Sequence, residues 1–508
     1  MDGGVSGTTE AFARVEIDAL LTDASWDLTD GSSVLFEHAL PDGTQADYVL
    51  CDRQGRPMAA LEAKRAGIDP IAARDQGRHY AEQLDVPFVF LSNGKEVMNQ
   101  SREKSVYDIL GRDPVHPFPA RMAPGLALEV IAEYRRPLRI LDPMSGSGTV
   151  LAVAHSKGHR AVGVDMDPLA VLISRVWTTA VNVKTVQDMA ETVLEHARHM
   201  FASLPTRDAY PRDADSETRQ FARYWFDGYA RRQLASLATA IEQVRDNTIR
   251  EALWCAFSRL IISKQSGASL AMDLSHSRPH RKFKRAPTKP FRKFLSAVER
   301  VTTNSIDASS QSPGPVAQVY EGDARHLDLS DSSIDLVITS PPYLNAIDYL
   351  RCSKFSLVWM GYSVSEVRRL RATTVGTEIG LDARDDQEIQ KILSALKLRP
   401  KLQTRQEAML ARYINDMQRA VGETSRVLSA NRKAVYVVGE NTIRGTFVRN
   451  AMIVEAIANS TGLRCTARRS RELPANRRYL PPPSNQSDMA KLDNRLRREV
   501  ILTFQKAA

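Results

Sequence analysis

Short apolar runs and amphipathic stretches alternate along the first hundred residues. Residues 46–52, 58–65 and 86–94 are apolar runs bounded by turn-forming residues, which is typical of strands. Residues 11–24 and 73–84 carry apolar positions at helical spacing. The pattern predicts a compact α/β unit over residues 1–110, closed by the proline-rich stretch GRDPVHPFPARMAP.

A second alternating pattern begins near residue 118, stops near 180 and resumes after the Ser/Pro-rich segment 302–316. Its strand-like segments include LRILDPM, AVGVDMD, IDLVITS and KAVYVVG, each followed by a turn or a helical stretch. Alternation of this kind predicts a parallel sheet covered by helices. We therefore expect one Rossmann-like sheet, with 111–180 and 316–508 as its two parts and 181–315 as a helical insert.

Composition fits a soluble globular protein of two to four domains. The chain has 508 residues, of which 43% are hydrophobic and 25% charged, and its net charge is +9. We expect no membrane span, because no apolar run approaches ~18 residues, and no signal peptide at the N-terminus. Four scattered cysteines without a CxxC pair predict reduced thiols in a cytoplasmic protein rather than a zinc site.

A glycine-rich turn, Asp142-Pro-Met-Ser-Gly-Ser-Gly-Thr149, links an apolar strand to a helix. Its glycines allow the backbone to turn sharply and to approach a ligand closely. Asp165 ends the next strand, where a carboxylate can accept hydrogen bonds from both hydroxyls of a ribose. The turn at a helix N-terminus therefore predicts a site for a nucleotide-like cofactor. It is not a Walker A loop, because the required Gly-Lys-Ser/Thr is missing. The alternative is a purely structural turn.

A second motif, Thr339-Ser-Pro-Pro-Tyr343, ends the strand IDLVITS. Its two prolines remove two backbone donors and fix φ, so the carbonyls are held rigidly without local partners. Such a loop can accept hydrogen bonds from an external amino group, and the adjacent tyrosine can stack on a flat ring. The alternative for Pro-Pro alone is a plain turn.

Together these strings resemble the DNA amino-methyltransferases, which use S-adenosylmethionine (SAM). The resemblance covers about 112–180 and 316–508, with Met144 where the family usually has Phe. It implies a SAM site formed by the motif residues and two flanking segments, His116–Met122 and Gly322–Ala324. The cofactor-binding residues so implied are Phe118, Asp142, Pro143, Gly146, Gly148, Thr149, Asp165 and Asp323.

The resemblance also implies the reaction. An exocyclic amine of a base flipped out of the duplex attacks the methyl group of SAM, and no metal takes part in this step. Ser340 and the Pro341 carbonyl are expected to accept the amine hydrogens, with Pro342 fixing the loop and Tyr343 stacking on the base. Ser-Pro-Pro-Tyr favours cytosine N4 as the target, with adenine N6 as the alternative.

The N-terminal unit carries a separate group of polar residues. Asp47 and Glu62-Ala-Lys64 lie on consecutive predicted strands, and Gln76 and Tyr80 lie one helical turn apart. With its surrounding sequence this group resembles the PD-(D/E)XK nuclease domain of type I restriction-enzyme motor subunits. The resemblance implies Mg²⁺ held by Asp47 and Glu62, activation of water with Lys64, and Glu10 completing the site. The alternative is an inert nuclease fold kept for DNA binding; no motor follows, because the chain has no GxxxxGK[ST].

A basic tract from His276 to Phe294 contains eight Lys/Arg, three Phe and no acid. Such a composition predicts phosphate attraction and base stacking on DNA, and the alternative is a solvated surface. The expected DNA-binding residues are Arg281, Lys282, Lys284, Arg285, Arg292 and Lys293. Residues 467–479 are a second basic candidate. Residues 181–315 are the expected target-recognition region, with 350–415 as the competitor, whereas Trp254 and Trp359 are expected in the core.

Overall fold

The computed structural model divides into two compact units, Met1–Lys104 and Ser105–Ala508. It describes residues 10–24, 26–52, 55–65, 68, 73–86, 88–94, 97–99, 106–118, 122–263, 266–272, 274, 279–309, 317–344, 349–376, 386–396, 404–443, 446–472 and 498–507.

The first unit is a five-stranded mixed sheet with strand order β1-β2-β3-β4-β5, in which only β3 and β4 pair in parallel. Its elements are α1 (Glu10–Asp23), β1 (Val34–Ala39), β2 (Gln45–Cys51), β3 (Pro57–Ala63), α2 (Arg74–Gln83), β4 (Phe88–Ser92) and β5 (Val97–Asn99). Ile17 of α1 belongs to one buried apolar cluster and Tyr80 of α2 to another. The predicted α/β elements are therefore present, and β1 and β5 are strands that the pattern did not predict.

The second unit contains a seven-stranded sheet with strand order β12-β7-β6-β13-β14-β18-β17. These strands are β6 (Arg139–Asp142), β7 (Arg160–Asp165), β12 (Gln318–Glu321), β13 (Ile334–Thr339), β14 (Leu428–Gly439), β17 (Leu463–Glu472) and β18 (Arg498–Lys506). The strands from β12 to β14 are parallel, and β18 runs antiparallel to both of its neighbours. The predicted Rossmann-like fold is confirmed.

Helices account for most of the remaining second unit. They are α3 (Val106–Leu110), α4 (Pro124–Ala132), α5 (Thr149–Ser156), α6 (Pro168–Thr178), α7 (Val183–Ser203), α8 (Ser216–Trp225), α9 (Gly228–Glu242), α10 (Asn247–Ile261), α11 (Pro290–Thr303), α12 (Tyr349–Leu357), α13 (Val364–Thr373), α14 (Gln387–Ala395), α15 (Thr404–Val427) and α16 (Asn450–Ser460). The short strands are β8 (Ala180–Val181), β9 (Ala271–Met272), β10 (His280–Arg281), β11 (Ile306–Asp307), β15 (Asn441–Ile443) and β16 (Thr446–Val448).

Side-chain caps explain where many of these helices begin. Asp167, Asp215, Asp227 and Asp246 each accept a hydrogen bond from a backbone N–H in the first turn of α6, α8, α9 and α10. Ser363 forms a full capping box with Glu366 at the start of α13. The central strands read RILD, RAVGVD and IDLVIT because both faces of the sheet are covered by helices.

The helical character predicted for 181–302 is observed in α7–α11. The linker predicted for residues 302–316 is not entirely irregular in the structure. Helix α11 continues to Thr303, and Ile306–Asp307 forms β11, which pairs in parallel with β8. Residues 310–316 lie outside the described residues. Trp254 and Trp359 are buried in the core shared by these helices, α6 and α12, as predicted.

Three of the four free cysteines are buried. Within the described ranges, none of the helices is long and apolar enough to cross a membrane.

Candidate active site

The predicted cofactor and amine-binding motifs lie at one edge of the sheet in the second unit. Asp142, Asp165 and Thr339 are the last residues of β6, β7 and β13, which are parallel neighbours in the sheet. The strand order reverses between β6 and β13, and open α/β sheets bind ligands outside the carboxyl ends of strands at such a point. Asp142 and Thr339 are 197 residues apart in the chain, but the fold brings them together, and Thr339 Oγ1 donates a hydrogen bond to Asp142 Oδ1 at 2.7 Å.

The glycine-rich turn requires glycine at two positions. Gly146 and Gly148 have φ of 50° and 82°, in the left-handed region that favours glycine. A Cβ on Gly148 would also lie 2.8 Å from Ser174 Oγ of helix α6. Ser174 Oγ donates to the Gly146 carbonyl at 2.8 Å, so α6 directly supports the turn.

Asp165 fixes the same turn from the neighbouring strand. Its carboxylate accepts the backbone N–H of Gly146 at 2.8 Å and that of Asp167 at 2.9 Å. Burial raises the pKa of Asp165. Because a carboxylate has about four acceptor positions, these two bonds leave capacity for a ligand hydroxyl.

Asp142 is almost fully buried at the end of β6. It accepts hydrogen bonds from Thr339 Oγ1 and from the backbone N–H of Met144, the latter at 3.2 Å. Burial raises its pKa to about 7. Asp142 thus ties the glycine-rich turn to the strand that leads into Ser340, a link that the motifs did not indicate because Thr339 had no assigned role.

The remaining predicted cofactor residues differ in their surroundings. Thr149, at the start of α5, is buried, and its hydroxyl has no hydrogen-bond partner among the described residues. Phe118 is buried and stacks on Tyr349, with ring centroids 5.7 Å apart and an interplanar angle of 18°. Asp323 follows β12 beside Asp165, since Gly322 N donates to the Asp165 carbonyl at 3.0 Å. Pro143 lies within the turn.

The Asp323 carboxylate is bound by Arg325, whose Nη2 donates at 2.8 Å. Arg325 Nη1 also donates to Asp416 at 2.6 Å, so the guanidinium bridges two carboxylates. This pairing lowers the pKa of Asp323 against the opposing effect of its burial. Neither Arg325 nor Asp416 was identified from the sequence.

The Ser340–Tyr343 loop is held by the far strands of the sheet. Ser340 Oγ donates to the Val437 carbonyl of β14 at 3.1 Å, which leaves the oxygen lone pairs of Ser340 as acceptors. Tyr343 Oη lies 3.2 Å from Ser340 Oγ and donates to Glu499 Oε1 of β18 at 3.2 Å. Pro341 is buried, whereas Pro342 and Tyr343 are half-buried.

Glu499 is in turn held by Arg471 of β17, whose Nε donates to Glu499 Oε2 at 2.8 Å. Glu499 and Arg471 face each other in the register of β17 and β18. Both are sequence-distant from the loop, so no local motif identified them. Glu440, just after β14, is a further carboxyl at this edge, and burial raises its pKa.

The second basic candidate is only partly described, because residues 473–497 lie outside the described residues. Its described part is strand β17, where Arg468 and Arg469 pair with Glu455 and Glu129. Together with the Arg471–Glu499 pair, these contacts show that the described arginines form ion pairs within the second unit. DNA binding by this stretch stays a prediction.

In the first unit, the predicted polar residues form one cluster. Lys64 Nζ donates to Glu62 Oε1 at 2.8 Å and to Gln76 Oε1 at 3.0 Å, and Gln76 Nε2 donates to Tyr80 Oη at 2.6 Å. Asp47 Oδ2 accepts the backbone N–H of Ala63 at 2.7 Å. Five of the six predicted residues therefore meet. Glu10 begins α1, and its side chain lies outside what the structure describes.

The two carboxyl groups of this cluster, Asp47 and Glu62, differ in their surroundings. Burial, with a contribution from the nearby Asp47 carboxylate, raises the pKa of Glu62 to about 7 despite the contact with Lys64. Glu62 Oε2 is buried and has no hydrogen-bond partner among the described residues. Arg14 of α1, which the motif did not include, donates to Asp47 Oδ1 at 2.5 Å.

In the described part of the basic tract, the predicted DNA-binding side chains are exposed, whereas the phenylalanines are buried or half-buried. Side chains of all six predicted DNA-binding residues are exposed: Arg281, Lys282, Lys284, Arg285, Arg292 and Lys293. Phe294 is fully buried, and Phe291 packs edge-on against Phe201 with centroids 5.4 Å apart. The prediction that the rings of the tract stack on bases is therefore wrong for Phe294, because α11 places this ring in the helical core. Phe283 is half-buried.

Comparison with known proteins found a distant relative. The chain is 21% identical over 429 residues to the type II methyltransferase M.MvaI of Kocuria varians, a span of 77% of this chain and 90% of the relative. No protein-family model matches the chain.

Solved structures that are similar to the chain include SAM-dependent methyltransferases. One from Methanosarcina mazei is 10% identical, with 74% of this chain and 97% of that chain covered and a TM-score of 0.26. A TehB-like one from Corynebacterium glutamicum is also 10% identical, with 75% and 86% covered and a TM-score of 0.24. The strand order of the sheet itself, rather than these distant likenesses, establishes the Rossmann-like fold.

Proposed function

We propose that the chain is a site-specific DNA methyltransferase that transfers a methyl group from SAM to an exocyclic amine of a flipped base, with cytosine N4 as the target. The observation that carries the proposal is the Asp142–Thr339 hydrogen bond, which joins the glycine-rich turn to the Ser-Pro-Pro-Tyr loop at the switch point of the sheet. The relative M.MvaI, a type II methyltransferase, supports the same class.

The turn and its neighbours fit SAM. An added Cβ on Gly146 would have nothing within 4 Å, so a ligand can approach the backbone there, and Asp165 keeps acceptor capacity for ribose hydroxyls. Asp323, beyond β12, is the proposed partner of the adenine. When bound, SAM supplies an electrophilic methyl group on its sulfonium.

The loop residues act on the amine. An exocyclic amine is a weak nucleophile because its lone pair is delocalised into the base. Ser340 already donates its hydrogen to Val437, so its oxygen is oriented to accept an amine hydrogen, together with the Pro341 carbonyl. These acceptors favour the localised lone pair that attacks the methyl carbon, while Tyr343 stacks on the base. The amine proton then leaves to solvent or to a nearby carboxylate.

The test is to incubate the protein with tritiated SAM and unmethylated DNA and to separate the modified nucleosides. We expect N4-methylcytosine. A product that is only N6-methyladenine would show that the base is wrong, and absence of any DNA product would overturn the methyltransferase proposal. Ser340→Ala should lower kcat by about a hundredfold, the scale of one preorganised hydrogen bond at a reacting group. The exposed Ser309→Ala is the matched control.

We further propose that the first unit cleaves DNA with Mg²⁺, in a restriction-modification context. The donor set fits a hard cation, since Asp47 and Glu62 are adjacent carboxylates and Glu62 Oε2 is a buried oxygen without a partner among the described residues. Asp47 and Glu62 would hold the ion, which supplies a nucleophilic water when bound. Lys64, beside Glu62, would stabilise the charge that develops on the phosphate. The described residues contain no group of three or more His, Cys, Asp or Glu arranged for a metal.

Cleavage is tested on methylated and unmethylated DNA with and without Mg²⁺. Glu62→Ala should abolish Mg²⁺-dependent cutting, and Glu82→Ala, an exposed carboxylate on α2, should not. If the wild type cuts neither DNA, the nuclease proposal is overturned. The alternative is then that the first unit is an inert DNA-binding domain attached to a methyltransferase that acts on either base.

A further inference from the structure

A cleft lies between α8, α12 and α13 in the second unit. Its cavity volume is about 390 Å³, which is within the range of small-molecule sites. Helix α8 belongs to the segment 181–315, and α12 and α13 belong to the segment 350–415. The cleft is therefore built jointly by the two regions that compete as target-recognition candidates.

Aromatic rings form one wall of the cleft. Tyr224 is 52% exposed and meets Trp225 edge-on, with centroids 4.9 Å apart. Trp225 in turn packs against Phe355 in the core, with centroids 5.0 Å apart. Tyr224 is thus an exposed ring on a rigid support, which is the arrangement on which an unstacked base can stack.

Cations dominate the charged lining of the cleft. Arg351 and Lys354 come from α12, and Arg368 and Arg371 from α13, whereas Glu217 is the one carboxylate among the described residues that line the cavity. Glu217 is paired with Arg368. Among the described lining residues, four cations therefore stand against one carboxylate, and guanidinium and ammonium groups are the side chains that bind phosphate.

The cleft is continuous with the exposed basic tract. The Arg281 guanidinium lies 5.1 Å from the Tyr224 ring centroid, and Arg281 is followed by the exposed Lys282. Lys354 Nζ lies 4.9 Å from the ring centroid of Phe221, which belongs to α8 and also lines the cleft. Positively charged side chains are therefore found both on β10 and in the lining of the cleft next to it.

The cleft is also close to the proposed catalytic loop along the chain. Tyr349, the first residue of α12, is six positions after Tyr343. Six residues span at most ~20 Å, and successive nucleotides of one DNA strand are ~3.4 Å apart along the helix axis. A base held at Tyr343 and a nucleotide held beside α12 can therefore belong to one target site.

We propose that this cleft binds a nucleotide of the DNA substrate near the flipped base, with its phosphate on Arg351 and Arg371 and its base against Tyr224. This inference rests on the proposed DNA methyltransferase function. It makes α8 and α12–α13 one recognition surface, so neither of the two competing segments recognises DNA alone.

The test compares Tyr224→Ala and Arg371→Gln in the full-length protein. Methyl transfer from tritiated SAM to unmethylated plasmid DNA gives kcat and the KM for DNA, and calorimetry gives the affinity for SAM. Tyr224→Ala should raise the KM for DNA about tenfold, the scale of one lost base stack. Arg371→Gln should also raise it and should reduce the salt dependence of DNA binding by about one charge. Unchanged affinity for SAM shows that both variants are folded.

Matched controls are Tyr107→Ala on α3 and the exposed Arg136→Gln, which should leave the KM for DNA unchanged. The proposal would be overturned if the KM for DNA of Tyr224→Ala and of Arg371→Gln lay within about twofold of the wild-type KM. Binding of a fluorescein-labelled duplex, followed by anisotropy, separates the two proposals. If the wild type transfers no methyl group but Tyr224→Ala and Arg371→Gln weaken duplex binding, the cleft stands and the methyltransferase function falls.

Discussion

Replacing Gly148 by alanine should weaken both the stability of the second unit and its binding of SAM. Gly148 precedes α5 with φ of 82°, and an added Cβ would lie 2.8 Å from Ser174 Oγ and 3.1 Å from Ser174 Cα. Because the second contact is with buried backbone of α6, rotating the serine side chain does not relieve it. Either α6 or the turn must shift, and the turn carries the proposed cofactor site.

Two terms add to the cost. A left-handed backbone costs a non-glycine residue about 1–2 kcal/mol, and crowding in a well-packed core costs about 1–3 kcal/mol more. Alanine recovers roughly 0.4–1 kcal/mol by restricting the unfolded chain. The expected net loss for Gly148→Ala is therefore about 2–4 kcal/mol.

Gly158→Ala is the matched control, since Gly158 follows α5 with φ of 78° but has nothing within 4 Å of the added Cβ. It bears the backbone strain without the crowding, so its net loss should be about 1 kcal/mol. In scanning calorimetry, the transition of the second unit is the one whose midpoint rises when SAM is added. Its midpoint should be highest for the wild type, lower for Gly158→Ala and lowest for Gly148→Ala.

Titration calorimetry with SAM completes the comparison. Gly148→Ala should weaken SAM binding about tenfold or more, whereas Gly158→Ala should bind SAM as the wild type does. Equal midpoints and equal SAM affinities for the two variants would refute the argument that α6 holds the turn at this distance.

Three further predictions concern other parts of the second unit. Burial raises the pKa of Asp142 from 3.8 to about 7. The folded protein therefore binds this proton more tightly than the unfolded chain, and its stability falls as the pH rises through about 4 to 7. Asp142→Asn should lessen the fall in thermal midpoint that the wild type shows between about pH 5 and 8. Tyr343→Ala should lower kcat for methyl transfer more than Tyr343→Phe, which keeps the ring and loses only the hydroxyl with its contacts to Glu499 and Ser340; equal losses would contradict base stacking. Phe294→Ala should cost about 3–5 kcal/mol of unfolding free energy and Phe283→Ala much less, because only Phe294 is fully buried.

The sequence predicted those parts of the site that depend on strand ends. Motifs that follow parallel strands must share one edge of a sheet, and for this reason Asp142, Asp165 and Ser340 could be assigned to one site from the sequence alone. Glu499 and Arg471 could not be assigned, since their contact with Tyr343 depends on the order and register of β14, β17 and β18. That order is set by long-range packing, which local periodicity does not contain.

The burial of Phe294 did have a signal in the sequence. Phe294, Val298 and Val301 recur at helical spacing in α11 and are all buried, whereas Arg292 and Lys293 lie on the exposed side. Counting cations and aromatics over the tract conceals this division, because the helix sends the two residue types to opposite faces. Helical periodicity over residues 290–303 separates them.

The helical insert is attached so that it leaves the sheet undisturbed and still supports the loop. Its entry strand β8 and exit strand β11 pair in parallel, and Arg112 Nη1 donates to the carbonyls of both Trp177 and Asn304, so the two ends of the insert are held together. Between these ends, α7–α11 pack into a core that also contains α6 and α12. Helix α6 supports the glycine-rich turn through Ser174, and α12 follows the Ser340–Tyr343 loop in the chain. One apolar core therefore underlies the cleft at Tyr224, the turn and the helix after the loop, so a DNA strand bound in the cleft would be held at a fixed position relative to both proposed reaction partners.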